Sequence, residues 1–216
     1  MPTKAFCSWG GGKDSCLCMD RAHREGIRIE SLFTITEISG GVSESYGMPA
    51  WALKRQAVAM GLPIVTQEAQ KGDYEEKFME QMRLFQKMGF DTAVFGDIDV
   101  ESRKEWEVSV CQRVFFNAIL PLWKIPRRQI VHEFISLGYQ ALVVGVKKSI
   151  LPVKFVGRAY NEALISELDE LGVDPCAEGG EFHTFVVDGP LFKHRVQFNA
   201  DGVVHGVDLA MLNLIP

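Results

Sequence analysis

The sequence predicts an α/β protein: a parallel sheet flanked by helices, followed by a smaller α+β portion. Three observations carry that reading. Up to residue 116, short apolar runs alternate with stretches of helical periodicity across short connections, the pattern of a parallel sheet covered by helices. The alternation stops at Leu120-Pro121-Leu122-Trp123-Lys124-Ile125-Pro126, where two prolines mark a boundary. Beyond it, helices and strands follow in mixed order. The expected division is residues 1–124 and 125–216.

The elements follow in order. Residues 4–8 are apolar at the centre and read as a first strand. Trp9 to Gly12 form a glycine-rich turn, after which Asp14 or Ser15 is placed to cap a helix reaching Arg24. Residues 28–36 hold Ile29, Leu32, Phe33 and Ile35 and read as a second strand; residues 39–47, rich in Gly and Ser, read as a mobile loop. Pro49 suits the first turn of a helix reaching Met60. Residues 63–67 are a third strand. Phe78, Met82 and Phe85 recur at helical spacing over 74–88, and Gly89 stops that helix. Residues 92–95 are a fourth strand and 102–116 a helix. In the second part, 127–137 and 161–171 read as helices and 140–146 as a strand. The tail reads as strands over 182–187, 194–199 and 203–209, with turns at Asp188-Gly189-Pro190 and Asp201-Gly202.

Composition narrows the function. The net charge is −5, an acidic balance that argues against a nucleic-acid partner. No apolar run reaches the ~18 residues of a membrane span. The first residues lack the apolar core of a signal peptide, so a cytoplasmic location is expected. Cys7, Cys16, Cys18, Cys111 and Cys176 are odd in number and irregular in spacing, which fits buried thiols better than disulfides or a zinc site. Base rates favour a homodimer.

The sharpest feature is Ser8-Trp9-Gly10-Gly11-Gly12-Lys13-Asp14-Ser15, between a strand and a helix. Glycines let backbone N–H groups approach a phosphate with no Cβ in the way, and the helix N-terminus adds partial positive charge. Lys13 adds a full charge, Ser15 offers a hydroxyl, and Asp14 can cap the helix or help hold Mg²⁺. The Walker A pattern fails, because Cys7 stands at its first glycine and Asp14 follows the lysine. The dinucleotide fingerprint starting at Gly10 fails at Ser15.

Residues 10–15 resemble the signature of PP-loop ATP pyrophosphatases. Two further blocks sharpen the resemblance. One is Val94-Phe95-Gly96-Asp97-Ile98, followed by Arg103, Trp106 and Pro121-Leu122-Trp123. The other is Glu178-Gly179-Gly180-Glu181-Phe182-His183-Thr184, followed by Val187-Asp188-Gly189-Pro190-Leu191-Phe192. Together they resemble the diphthine–ammonia ligase family, also called the diphthamide synthase ATP-binding domain, over nearly the whole chain. The resemblance implies an adenine nucleotide alpha hydrolase-like fold and a ligase using ATP, Mg²⁺ and ammonia. In that chemistry a carboxylate, on a small molecule or a modified protein side chain, attacks the α-phosphate. Ammonia then displaces AMP.

Residue reading and resemblance together place the nucleotide against Ser8, Gly10, Gly11, Gly12, Lys13, Asp14, Ser15, Thr36, Gly96 and Asp97, with Asp14 also on Mg²⁺. They place the substrate against Arg103, Glu178, Gly179, Gly180, Glu181, His183 and Thr184. Catalytic roles fall to Lys13, Asp14, Glu181 and His183, the last as a proton carrier near neutral pH. Trp106, Trp123 and Cys176 read first as core. Two positions depart from the family pattern. Gly10 stands where the family loop begins with Ser. His183-Thr184 replaces the Glu-Thr of diphthamide-forming members and matches bacterial relatives linked to cobalamin-related salvage. The alternatives are a related PP-loop enzyme acting in such salvage or in RNA thiolation, and a nucleotide-binding regulatory module.

Overall fold

The computed structural model describes residues 3–37, 47–70 and 72–216. Of the loop expected over 39–47, all but Gly47 lies outside the described residues.

The first half is a five-stranded sheet in the order β3-β2-β1-β4-β5. Its strands are β1 (Lys4–Ser8), β2 (Arg28–Glu37), β3 (Ile64–Ala69), β4 (Thr92–Val94) and β5 (Asn117–Ile119). Every pairing is parallel. The connecting helices are α1 (Lys13–Arg24), α2 (Ala50–Met60), α3 (Tyr74–Lys87) and α4 (Glu101–Arg113). Because side chains alternate across a strand, β1 feeds two cores. Ala5 and Cys7 pack with α1 and α2 residues such as Leu17 and Leu53 on one face. Phe6 packs with Phe33, Phe78 and Phe85 on the other, its ring stacked 4.9 Å from that of Phe85. Burying a side chain of this size contributes roughly 1.5–3 kcal/mol.

The second half holds α5 (Arg127–Ser136), α6 (Glu162–Glu170) and an antiparallel sheet ordered β7-β6-β9-β8. Its strands are β6 (Gln140–Lys147), β7 (Phe182–Asp188), β8 (Asn199–His205) and β9 (Leu209–Ile215). Asn161 caps α6 by accepting a hydrogen bond from the Leu164 N–H at 3.0 Å. The cluster containing Leu17 and Leu53 continues into Val144, Phe182 and Phe185, so one apolar core joins the halves. Among the described residues, no helix is long and apolar enough to cross a membrane.

Four expectations are corrected. Neither Asp14 nor Ser15 caps α1; the cap position is Gly12, and no side chain of the cap residue bonds there. Pro49 sits at the cap of α2, just outside its first turn. The stretch to 116 is not all helix, since α4 ends at Arg113 and Asn117–Ile119 forms a fifth strand. In the tail, residues 194–198 are irregular, and Asp201-Gly202 lies inside β8. There the register steps from Ala200↔Leu214 to Val203↔Leu212, a bulge rather than a hairpin turn.

Candidate active site

The strand order reverses around β1 and β4, and ligands in such sheets sit at that crevice beyond the carboxyl ends of the strands. A cavity of about 630 Å³ lies there, within the ~300–1,000 Å³ range of small-molecule sites. Ser8, Trp9, Gly10, Gly12, Lys13, Asp14 and Ser15 form one wall. Phe33, Thr34 and Ile35 close the end of β2, with Tyr74 and Phe78 of α3 beside them. Gly96 and Asp97 follow β4, and Ser102, Arg103, Trp106 and Glu107 come from α4. The second half contributes Cys176, Ala177, Glu178, Gly180, Phe182, His183 and Thr184.

The glycine loop is shaped by partners from elsewhere in the chain. Gly11 has φ +76°, and a Cβ there would lie 2.6 Å from Leu53 and 2.7 Å from Gln56 Oε1. Gln56 is fully buried and has every polar atom used. Its Oε1 accepts from Trp9 Nε1 at 2.9 Å, and its Nε2 donates to the carbonyls of Gly11 at 2.8 Å and Val186 at 2.7 Å. The Val186 N–H in turn donates to Gly11 O at 3.0 Å. At Gly12 a Cβ would stand 3.1 Å from the Thr184 carbonyl. The Thr184 hydroxyl accepts from the Lys13 N–H at 3.1 Å, so β7 supplies one of the partners that the start of α1 needs. Gly96 lets β4 approach equally closely, since its Cβ would be 3.1 Å from the backbone carbon of Asp14 and 3.2 Å from Ser15 N.

Lys13 is buried, and its ammonium donates to Asp14 Oδ2 at 2.7 Å and to the Cys176 carbonyl. Burial disfavours that charge. Its acidic neighbours, Asp14 first and then Cys176 and Glu178, together more than compensate and hold the lysine above its ordinary range. Arg103 Nη1 bridges Asp97 Oδ1 at 3.3 Å and Glu178 Oε2 at 3.4 Å. Burial and then the nearby Asp14 push Glu178 up to about 7. Burial and the Lys13 charge push His183 below the ordinary histidine value, so it is mostly neutral at pH 7. Burial pushes the Cys176 thiol up to about 12, which leaves it a structural group.

The turn carrying these groups is built on Asp174. Its Oδ1 accepts from Cys176 N at 3.0 Å, and its Oδ2 accepts from Glu178 N at 3.0 Å and Arg127 Nη1 at 2.6 Å. Arg127 also holds Asp99 through two bonds of 2.8 and 2.9 Å, tying the loop after β4 to the turn before β7. Ala177, at φ +59°, is strained within it.

Most expected residues meet at this cavity, but four stand off its lining: Gly11, Thr36, Gly179 and Glu181. Gly11 faces α2. Thr36 is buried in β2, while Thr34 and Ile35 reach the cavity. Glu181 precedes β7, and its Oε1 lies over Gly179, 2.6 Å from where a Cβ would be. Sequence reasoning missed Gln56, Glu107, Arg127 and Asp174. Gln56 and Glu107 had a signal. Each is a polar residue on a buried helical stripe, Gln56 with Leu53 and Met60, Glu107 with Val110 and Cys111.

The site suits a polyphosphate with a divalent cation. Asp14 Oδ1 is buried with no hydrogen-bond partner among the described residues, an oxygen that could face Mg²⁺. Among the described residues no group of three or more His, Cys, Asp or Glu side chains could hold a metal.

Comparison with known proteins gives consistent matches. Diphthine–ammonia ligase of Danio rerio is 28% identical over 92% of this chain and 88% of its own length. The Rattus norvegicus protein of that name is 27% identical over 92% and 84%. The Schizosaccharomyces pombe protein of that name is 24% identical over 90% of this chain and 36% of its own length. A solved structure described as a predicted subunit of tRNA methyltransferase from Methanocaldococcus jannaschii aligns over 87% of this chain and 98% of that one, with 16% identity and a TM-score of 0.46. The model of the diphthamide synthase N-terminal domain matches residues 3–117, and that of the diphthamide synthase C-terminal domain matches residues 126–206. With a glycine loop from the first region and an acidic turn from the second lining one cavity, the chain belongs to the diphthamide synthase family.

Proposed function

We propose that this chain is an ATP-dependent ligase that activates a carboxylate as its adenylate, with loss of pyrophosphate, and converts it to an amide with ammonia. The observation that supports this is the meeting of the glycine loop and Lys13 with the 176–184 turn in one cavity, read as a phosphate-binding wall beside a substrate wall. The curated relatives share the name diphthine–ammonia ligase, which points to a diphthine-like carboxylate, on a protein side chain or a small molecule. Residues 1–124 hold the nucleotide and residues 125–216 the acceptor side. The five unpaired cysteines support a reducing, cytoplasmic setting.

Each group has a task. The backbone of residues 10–12 and the start of α1 face the phosphates, and Lys13 offsets charge on the departing pyrophosphate. Mg²⁺ held by Asp14 would supply further charge neutralisation. The carboxylate oxygen bonds to the α-phosphorus as the bridging oxygen leaves with pyrophosphate. Arg103 orients the carboxylate. Ammonia nitrogen then bonds to the acyl carbon, AMP leaves, and neutral His183 accepts the proton that nitrogen sheds. The thiol of Cys176, raised to about 12, disfavours the sulfur-transfer alternative.

The test is ATP–pyrophosphate exchange with Mg²⁺, with diphthine-bearing elongation factor and a panel of free carboxylates added separately. Exchange that depends on one acid and vanishes in Asp14→Ala is expected. ATP binding without exchange for any acid would overturn the ligase reading in favour of a nucleotide-binding regulatory module.

A further inference from the structure

Lys13 is gripped at both ends by the second half of the chain. Its N–H donates to the Thr184 hydroxyl at 3.1 Å, and its ammonium donates to the Cys176 carbonyl as well as to Asp14 Oδ2 at 2.7 Å. Two of its three ammonium N–H bonds are thus committed, and the third remains for a ligand in the cavity that Lys13 lines. Asp14 is its chain neighbour and travels with the loop. The Cys176 carbonyl, 163 residues away, is what fixes the ammonium against the rest of the site.

That carbonyl is aimed by Asp174. The Ala177 N–H donates to the Asp174 backbone carbonyl at 3.0 Å. In a trans peptide the C=O and N–H point opposite ways, so the Cys176 carbonyl is turned away from Asp174 and toward Lys13. The peptide units on either side are held by the Asp174 carboxylate, through Cys176 N and Glu178 N, each at 3.0 Å. Ala177 sits between them at φ +59°, a conformation that persists only where its surroundings over-determine it. Arg127 braces the carboxylate in turn, donating to Asp174 Oδ2 at 2.6 Å while its other nitrogens grip Asp99. Neither Asp174 nor Arg127 lines the cavity, so any effect they have on a ligand there passes through the turn.

We propose that Asp174 is a positioning residue for Lys13: braced by Arg127, it aims the Cys176 carbonyl that fixes the lysine ammonium where a polyphosphate binds. The inference rests on the reading of the cavity as an ATP site. Asparagine keeps the size of the side chain but replaces one acceptor oxygen with a donor. D174N therefore cannot accept from Cys176 N, Glu178 N and Arg127 together. The turn loosens, and the ammonium is left to Asp14 alone. A ligand that reaches Lys13 through its outer phosphates feels that loss. AMP, which lacks those phosphates, does not.

The experiment is a double-mutant cycle in the full chain: D174N, K13M and the pair, each checked by thermal melting. Calorimetry reads the Kd of ATP with Mg²⁺ and of AMP. D174N is expected to weaken ATP by roughly 10-fold, the weight of one hydrogen bond to a charged group, and AMP by less than about 3-fold. In the K13M background D174N should cost less than about 2-fold, because the residue it positions is gone. A D174N loss of the same size with and without Lys13 overturns the proposal. So does an equal loss for ATP and AMP, since either marks a purely structural role. Unchanged ATP binding in a folded D174N, or a wild type with no preference for ATP over AMP, also overturns it. Should D174N fail to fold, R127K, which keeps the cation but not the fork that spans both carboxylates, runs the same cycle on the same criteria, with an expected ATP loss of roughly 3- to 10-fold. Pyrophosphate exchange is measured separately. Its absence with every acid defeats the ligase reading and leaves the calorimetric cycle to decide the proposal.

Discussion

Glu178 should make the stability of this protein fall as pH rises through neutrality, and Glu178→Gln should abolish that fall. Its side chain is 8% exposed and its carboxyl is pushed from an ordinary 4.5 up to about 7, first by burial and then by Asp14, against the pull of Lys13 and Arg103. Below pH 4.5 the group is protonated in both folded and unfolded chains, and no stability is lost. Between 4.5 and about 7 the unfolded chain releases the proton while the fold retains it, so stability declines across that window. A rise of this size, at about 1.4 kcal/mol per pH unit, amounts to about 3 kcal/mol. The assay is urea unfolding of wild type and Glu178→Gln at intervals from pH 4.5 to 8. Taking the difference between the two chains cancels the titrating groups that do not interact with Glu178. The variant should gain about 3 kcal/mol on wild type over that range. A difference flat to within about 0.5 kcal/mol, or one of opposite slope, would refute the placement of Glu178 in a buried, acidic corner.

Three further outcomes are expected. Gly96→Ala pushes a methyl to 3.1–3.2 Å from the Asp14 and Ser15 backbone, so it should cost about 1–3 kcal/mol in thermal unfolding and weaken ATP binding measured by calorimetry. Lys13→Met removes the cation that lies between Asp14 and the 176–184 turn and should lower pyrophosphate exchange by roughly 100-fold or more; a loss under 3-fold would remove Lys13 from the chemistry. Ala177→Gly relieves a positive φ of 59° and should hold or raise the melting temperature, by up to about 1 kcal/mol of stability, where the same change at an ordinary loop position lowers it.

The fold was legible where local pattern and tertiary role agree. The apolar centres of β1 and β2 and the helical spacing of Phe78, Met82 and Phe85 are such cases. It was illegible where tertiary pairing overrides local chemistry. Asn117–Ile119 is too short to show a period and exists because it pairs with Thr92–Val94. Asp201-Gly202 carries the chemistry of a hairpin turn but is absorbed as a bulge opposite β9, and the chain reverses instead between His205 and Leu209. At the site, glycines and charged residues beside strand ends were readable from position. Asp174 and Arg127 were not, since they meet across 47 residues and inside a turn that only the fold creates.

The Gln56 bridge has a consequence for grafting. Trp9, Gly11 and Gln56 come from the first half of the chain and Val186 from the second, and hydrogen bonds join all four around the glycine loop. The first half taken alone would leave the Gln56 amide and the Gly11 carbonyl without their Val186 partners. A graft that carried residues 1–124 into another scaffold would bring the glycines without the strand that sets them.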